Sequence, residues 1–518
     1  MSCENMRDDM SRPISMRGAA AVIAASVLLS RVLGLVRDAL IAGLIGVNTE
    51  ADLYFDAFLI PDLLNYFLAG AYLTITLVPI LSRHLEAGDP ESASRAFTSV
   101  FRFVAWAIVA LTIVMWVFAD QLTGLIFPGI ADAERLTSMT RIVLPAQVFL
   151  VLGALLMAVQ YTHKRFVIPA AAPVIYNLGI IAGGLAGAAL GEATPEMFLV
   201  GAVVGAAIGN FGLQWVGAKR TGTWLTPIPR GQSSVGEYLV LAIPLMIGQS
   251  VAVLDEQFVR IFGQLDEGAT AALSYARKLT MVPIGVIAQA AGVAAFPFLA
   301  SLYARGASDE LVETTGRAAR KTLFVAAAAT AGLVVLARPL VRLVFQYGRF
   351  SSDDTDLVAA LVVLLAFSIP AWGLHQLLAR HFYAKRKMWT PVIVGTLFSI
   401  IAVPTWLGLY EVMGVEGFAL ASTLVMTGYA LGLLVAWGYD SGWAAVGRLA
   451  PAFLRAIVSA GVAAGLGWLV VDAISGEGSV TLLSALLVAA VAGTVTLAAF
   501  LGTAWLLRSP EMREVLRR

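Results

Sequence analysis

Three charged side chains interrupt the apolar segment 18–46. They are Arg31, Arg37 and Asp38. At a helical rise of 1.5 Å per residue, Arg31 lies about 20 Å from either end of the segment, near the middle of a bilayer. A charge at that depth costs about 2.5 to 3.5 kcal/mol, so it needs polar surroundings. Because guanidinium groups match phosphate oxygens and stay charged in any environment, the segment predicts a hydrated anion-binding surface.

Charged residues recur inside three other apolar segments. They are Asp52, Asp56 and Asp62 in the second, Asp255, Glu256 and Arg260 in the seventh, and Arg277 and Lys278 in the eighth. We expect these segments and the first to line one cleft. The predicted substrate-binding set is Arg31, Arg37, Asp38, Asp52, Arg277 and Lys278.

The alternative is that the same charges pair with one another. Arg37 would then pair with Asp38 or Asp52, and Arg260 with Asp255 or Glu256. Asp52 begins a segment, where a capping or packing role competes with ligand contact.

The composition is that of a polytopic helical membrane protein. Of the 518 residues, 59% are hydrophobic and 13% are charged, and the mean hydropathy is +0.83; a soluble protein carries about 25% charged residues. The net charge of +1 gives no indication of a nucleic-acid partner. The single cysteine, Cys3, excludes a disulfide framework, and the four histidines show no metal-ligand spacing. We therefore expect no metal, no cofactor and no enzymatic activity.

Fourteen apolar segments are long enough to span a membrane. This predicts an all-α protein with fourteen transmembrane helices, over 18–46, 52–82, 97–119, 139–161, 167–190, 196–217, 236–260, 269–303, 322–346, 357–383, 390–410, 416–437, 452–471 and 480–507. The first segment is too long for the apolar region of a signal peptide, so we interpret it as a retained span.

The basic residues predict the topology. With a cytoplasmic N-terminus, 24 of the 35 Lys and Arg residues fall in inside segments, and only Arg135 and Arg349 fall in outside loops. Such an asymmetry follows the positive-inside rule. Both termini are therefore predicted to be cytoplasmic, including the tails 1–17 and 508–518.

The sequence also contains an internal repeat. PILSRHLEAG at 79–88 resembles PFLASLYARG at 297–306, and YTHKR at 161–165 before Pro169 resembles YAKR at 383–386 before Pro391. Because each copy holds six spans, both copies should have the same orientation. We predict an N-lobe over 18–220, a C-lobe over 231–440 and two further spans over 450–507. Prolines inside spans are candidate hinges between or within these parts.

Taken together, these stretches resemble the MurJ (MviN) family of lipid II flippases, within the multidrug/oligosaccharidyl-lipid/polysaccharide (MOP) exporter superfamily. The residues that carry the resemblance are SRVLG at 30–34, RDA at 37–39, AD at 51–52, VPIL at 78–81, RF at 165–166, IP at 168–169, AP at 172–173 through Asn177, FQYGRF at 345–350, FY at 382–383 and TP at 390–391.

The resemblance implies a V-shaped, MATE-like transporter. It would move undecaprenyl-pyrophosphate-linked disaccharide pentapeptide, lipid II, from the inner to the outer leaflet of the bacterial cytoplasmic membrane. The family's functional basic residues fall on Arg31, Arg37 and Lys278, and its span 2 aspartate falls on Asp52. A groove near the last two spans would take the lipid tail.

Two departures from the family accompany these matches. Asn65 and Tyr66 stand where the family typically has two arginines, and the segment 69–72 lacks the family's glutamate. Some members bind sodium through an aspartate in span 7, which would be Asp255, but the predicted span 11 contains no Asn or Asp. A sodium site is therefore not favoured.

The expected partners are the lipid-linked substrate, membrane lipids and the cell-wall synthesis machinery, with the protein itself a monomer. Four alternatives stay open: a flippase for another polyprenyl-linked oligosaccharide, a MATE-like exporter, a membrane scaffold, and an enzyme acting on lipid-linked sugars. A basic first span disfavours an exporter of cationic drugs, and short loops disfavour an enzyme.

Overall fold

The computed structural model describes residues 16–68, 72–130, 132–229, 233–247, 251–288, 295–474 and 482–516. Over these ranges the chain forms helices and connecting segments, with no strand. The all-α prediction is confirmed for this part of the chain. Cys3, Arg230 and the segment 69–71 lie outside the described residues.

Residues group into two compact units, Met1–Gln249 and Ser250–Arg518. The helices of the first unit are α1 (Met16–Leu44), α2 (Thr49–Asp56), α3 (Leu59–Leu68), α4 (Tyr72–Glu86), α5 (Pro90–Val117), α6 (Ala119–Ile126), α7 (Ala133–Val143), α8 (Pro145–Thr162), α9 (Val167–Ala189), α10 (Pro195–Gly205), α11 (Leu213–Lys219) and α12 (Val235–Ile247). A π-helical turn, Ala206–Gly212, joins α10 to α11.

The second unit is built around one long helix, α16, of 38 residues. Its helices are α13 (Val251–Gly263), α14 (Ala269–Ala288), α15 (Phe296–Ala304), α16 (Ser308–Phe345), α17 (Ser352–Ala366), α18 (Ile369–Ala384), α19 (Trp389–Met413), α20 (Val415–Ser441), α21 (Trp443–Gly447), α22 (Ala450–Ile474), α23 (Leu482–Leu506) and α24 (Pro510–Leu516). Helices α17, α18, α22 and α23 all pack against α16.

Within the described residues, each predicted span overlaps one helix or several successive helices. Among the described residues, nine helical stretches are long and apolar enough to cross a membrane, or ten if α17 and α18, which meet at 41°, count as one. The chain is thus a multi-pass helical membrane protein. The count of fourteen crossings stays a prediction.

Prolines mark several of the breaks within predicted spans. Pro145 begins α8, Pro370 lies in the first turn of α18, and Pro61 lies in the first turn of α3. Proline is tolerated there because the first-turn N–H groups have no partner within the helix. Pro173 and Pro283 instead lie inside α9 and α14.

The helix ends support the predicted repeat. Gly88 after α4 and Gly306 after α15 both have a left-handed backbone, with φ of 76° and 71°. At the second pair of ends, Lys164 after α8 and Arg386 after α18 have φ of 58° and 59°. All four follow the last helical residue by two positions, which is the usual place of a left-handed C-terminal cap.

The boundary between the compact units falls inside the predicted seventh span. Helix α12 groups with the first unit, whereas the sequence-based boundary assigned residues from 231 onward to the C-lobe. Within the first unit, Arg83 in the last turn of α4 donates to both carboxylate oxygens of Glu237 on α12 at 2.7 and 2.8 Å.

Helix α9 is fixed in the first unit by close packing against α10. A Cβ on Gly183 would lie 2.2 Å from the carbonyl oxygen of Met197 and 2.9 Å from Cα of Gly201. Only glycine permits this approach. The packing matters for function because α9 carries a side chain that contacts α1.

Candidate functional site

Helix α1 presents a polar stripe to α9. Ser26, Ser30, Gly34 and Arg37 recur every three or four residues and so share one helical face. Ser26 donates from Oγ to the carbonyl oxygen of Ala170 on α9. The stripe therefore fixes which face of α1 meets α9.

Arg37 is held by two partners. Its Nε donates to Oδ1 of the adjacent Asp38 at 2.9 Å, and its Nη1 donates to Oδ1 of Asn177 on α9 at 3.1 Å. The Asp38 side chain is 1% exposed and the Arg37 side chain 16%. The predicted alternative, in which Arg37 pairs with Asp38, is confirmed.

Asn177 uses both ends of its amide. While Oδ1 accepts from Arg37, Nδ2 donates to the carbonyl oxygen and Oγ of Ser30, each at 3.3 Å, and to the carbonyl oxygen of Pro173 at 2.9 Å. One buried amide thus ties two turns of α1 to α9.

Arg31 lies outside this network. It follows Ser30 by one residue, so its side chain points about 100° away from the stripe. The residue is exposed, and among the described residues its guanidinium makes no hydrogen bond or ion pair. Arg31 therefore takes no part in the contact between α1 and α9.

Two of the three charged residues of predicted span 2, Asp52 and Asp56, are buried in α2. Asn48 caps this helix by accepting from the N–H of Ala51 at 3.1 Å. Asp52 in the first turn and Asp56 at the end are 7% and 1% exposed. Asn65 on α3, one of the two positions where the resemblance implied arginine, donates to Oε1 of Gln147 on α8 at 2.9 Å.

A second buried ion pair lies within the second unit. Arg277 on α14 donates from Nη1 to Oδ2 of Asp255 on α13 at 2.5 Å. Ser422 on α20 donates from Oγ to the other oxygen of the same carboxylate at 2.6 Å. These three residues line a small pocket together with Thr280 and Ser368.

The pairing of Arg260 follows one of the two predicted options. Its Nη2 lies 3.6 Å from Oε1 of Glu256, one turn earlier on α13. Asp255 instead forms an ion pair with Arg277. The reason is helical geometry, because residues four apart on one helix share a face.

Lys278 projects from a different side of α14 than Arg277. The residue is exposed, whereas the Arg277 side chain is 11% exposed. Glu256 is within electrostatic range of Lys278. Within each unit the structure thus places one predicted basic residue at the surface and one in a buried ion pair.

Sequence reasoning missed two members of these networks. Asn177 was part of a recognised motif but had no assigned role, although an amide inside an apolar segment is a usable signal. Ser422 gave no signal, because serine is common in membrane helices. Among the described residues, no group of three or more His, Cys, Asp or Glu side chains could hold a metal ion.

Solved structures show the fold. A structure titled "Lipid II flippase MurJ, inward closed conformation" matches with a TM-score of 0.74 at 22% identity, covering 94% of this chain and 99% of that one. An inward-facing multidrug resistance MATE family transporter of the MOP superfamily matches with a TM-score of 0.64 at 16% identity, covering 83% of this chain and 98% of that one. The chain therefore has a MurJ- and MATE-like fold.

Sequence comparisons give the family. The lipid II flippase MurJ of Burkholderia cenocepacia is 31% identical over 396 residues, which are 73% of this chain and 76% of that protein. A probable lipid II flippase MurJ of Rhizobium tropici is 27% identical over 450 residues, 84% of each chain. The model of the family described as "Lipid II flippase MurJ" matches residues 41–489. The chain therefore belongs to the lipid II flippase MurJ family, whose members are transporters rather than enzymes.

Proposed function

We propose that this protein flips lipid II from the inner to the outer leaflet of the bacterial cytoplasmic membrane by alternating access. The observation that carries the proposal is the family match over residues 41–489. Lipid II presents a diphosphate and sugars on a polyprenyl tail. Moving that diphosphate through hydrocarbon is prohibitive unless polar groups replace its hydration.

Arg31 and Lys278 are the proposed contacts to the anionic head group. Both are exposed and both are basic. Arg31 offers a two-pronged donor suited to phosphate oxygens, while Lys278 acts as a point charge. Because both side chains are exposed, phosphate can approach either of them without first breaking a buried ion pair.

Arg37 and Arg277 have a supporting role in this proposal. Each is held by a buried aspartate, Asp38 or Asp255, so substrate contact would first have to weaken that pair. Asp52 belongs to the same set as a buried carboxylate at the start of α2. Ion binding at Asp255 would require displacement of Arg277 and Ser422.

A flippase for a different polyprenyl-linked oligosaccharide is the second candidate. The observation that favours it is the neutral Asn65–Gln147 amide pair, because it replaces basic residues that the family resemblance implies. Fewer cationic groups would suit a head group with less negative charge.

The remaining proposals concern the cellular setting. We propose cytoplasmic termini, a monomer, and contact with the cell-wall synthesis machinery. The excess of basic residues in alternate loops supports the orientation of the termini.

The proposal is tested by complementation in cells depleted of their own lipid II flippase. Wild type should restore growth, and Arg31→Ala and Lys278→Ala should lose rescue at matched expression. Arg317→Gln is the control, because Arg317 is exposed and, among the described residues, its ion-pair partner is Glu313 one turn away on the same helix. Failure of a correctly inserted wild type would favour another substrate, and rescue by all variants would remove the assigned roles.

A further inference from the structure

The contact between α1 and α9 holds more polar groups than packing alone requires. Ser26, Ser30 and Arg37 on α1 all bond to α9, the last two through Asn177. Asn177 is 6% exposed. Burying an amide is unfavourable unless it is hydrogen-bonded, so an apolar side chain could pack these helices at least as well.

What the amide adds is a fixed rotation of α1. Its oxygen accepts a hydrogen bond from Arg37, and its nitrogen donates one to Ser30. These two residues are seven positions, or about two helical turns, apart on α1. Turning α1 about its axis in either direction would lengthen both bonds. Apolar contacts are not directional and would not resist this rotation to the same degree.

Arg31 depends on that rotation. It is the neighbour of Ser30 and has no partner of its own among the described residues. The direction in which its side chain leaves the helix, along the Cα–Cβ bond, is therefore set by the rotation of α1. We infer that Asn177 is a positioning residue that orients Arg31 for the anionic head group, an inference that rests on the proposed function.

The first experiment measures the orientation of position 31 directly. In a Cys3→Ser background, the variant Arg31→Cys is labelled with a charged, water-soluble thiol reagent, and the labelling rate is compared with and without Asn177→Leu. We expect Asn177→Leu to change the labelling rate several-fold. Gln160→Leu is the matched control, since Gln160 is an equally buried amide in the same unit that bonds to Gln214 on α11.

The second experiment measures transport of labelled lipid II by the reconstituted full chain with Arg31 intact. Asn177→Leu should raise the half-saturating lipid II concentration about tenfold with little change in maximal rate, as expected for loss of well-oriented hydrogen bonds. Asn177→Asp keeps an acceptor for Arg37 but loses the donors to Ser30, so its effect should be intermediate. Gln160→Leu should leave half-saturation unchanged.

The two experiments separate this inference from the proposed function. If wild type does not move lipid II, the proposed function fails, while the labelling comparison still decides whether Asn177 orients position 31. Unchanged labelling and unchanged half-saturation in Asn177→Leu would overturn the inference. If Asn177→Leu does not insert into the membrane, both measurements are made on the near-isosteric variant Asn177→Asp.

Discussion

At the scale of single residues, the basic side chains fall into two groups, those buried in an ion pair and those exposed at the surface. Arg37 and Arg277 are buried against aspartates, while Arg31 and Lys278 are exposed. A buried ion pair is costly to break because the remaining charge is left without a partner. Substitution within a pair should therefore act on stability, and substitution of an exposed cation on substrate binding.

The Asp255–Arg277 pair allows a stability prediction. Arg277→Ala should lower the free energy of unfolding by about 3 kcal/mol, because it leaves Asp255 buried and unpaired. The double variant Asp255→Asn with Arg277→Met should recover part of that loss. Thermal unfolding in detergent measures both, and a double variant worse than Arg277→Ala would contradict the account.

Arg31 allows a prediction about binding geometry. Arg31→Lys keeps the charge but loses the two-pronged donor, so it should retain part of the transport that Arg31→Ala loses. Both variants should unfold at the wild-type temperature, because Arg31 makes no ion pair among the described residues. Equal transport by Arg31→Lys and Arg31→Ala would contradict this prediction, because the charge kept in Arg31→Lys would then contribute nothing to transport.

Which charges pair was only partly predictable from the sequence. Arg37 and Asp38 are neighbours, and Arg260 lies one turn from Glu256, so local geometry indicated both pairs. Asp255 and Arg277 lie on separate helices, and their contact depends on how α13 and α14 pack. Sequence periodicity carries no information about that packing.

At the scale of elements, helix α24 is held in place by a buried carboxylate. Glu511 on α24 is 3% exposed and accepts from Nη2 of Arg455 on α22 at 3.3 Å and from Oγ of Ser509 at 2.7 Å. Its neighbour Met512 packs in a cluster with Phe324 on α16 and Phe500 on α23. Helix α24 therefore joins the last two long helices to α16.

Glu511→Gln tests this role. The change should lower the free energy of unfolding by about 2 kcal/mol, since it removes the charge that Arg455 pairs with. Glu514→Gln is the matched control in the same helix, because its pair with Lys321 is 42% and 37% exposed and such pairs contribute about 0 to 1 kcal/mol. Equal effects from both variants would show that burial of Glu511 does not matter.

The positions of most elements followed from hydropathy, but their breaks did not. Within predicted span 2, α2 ends at Asp56 and α3 begins at Leu59, and the two described helices of predicted span 7 group with different units. Pro145 and Pro370 indicated two of the breaks. Asp89 caps α5 by accepting from the N–H of Ser92. A capping residue of this kind locates the start of a helix in the sequence more closely than hydropathy does.

At the scale of the whole molecule, the two compact units repeat the same helix-ending geometry. Lys164 and Arg386 both close a helix with a left-handed backbone, 222 residues apart, and Pro169 and Pro391 follow at the same spacing. A repeat of six spans keeps its orientation, so equivalent ends should face the same side of the membrane.

Labelling of single cysteines tests that orientation. In a Cys3→Ser background, Lys164→Cys and Arg386→Cys should react with an impermeant thiol reagent only from the cytoplasmic side, and Arg349→Cys only from the outside. Reaction of Lys164→Cys and Arg386→Cys from opposite sides would contradict a parallel repeat.

The most direct test of the central claim is transport by the purified protein. Vesicles holding the reconstituted full chain and fluorescent lipid II are assayed for movement of the head group between leaflets. We expect wild type to move lipid II and Arg31→Ala to lose most of that movement, while Arg317→Gln moves it normally. Movement by Arg31→Ala at the wild-type rate would contradict a role for this exposed arginine in carrying the diphosphate.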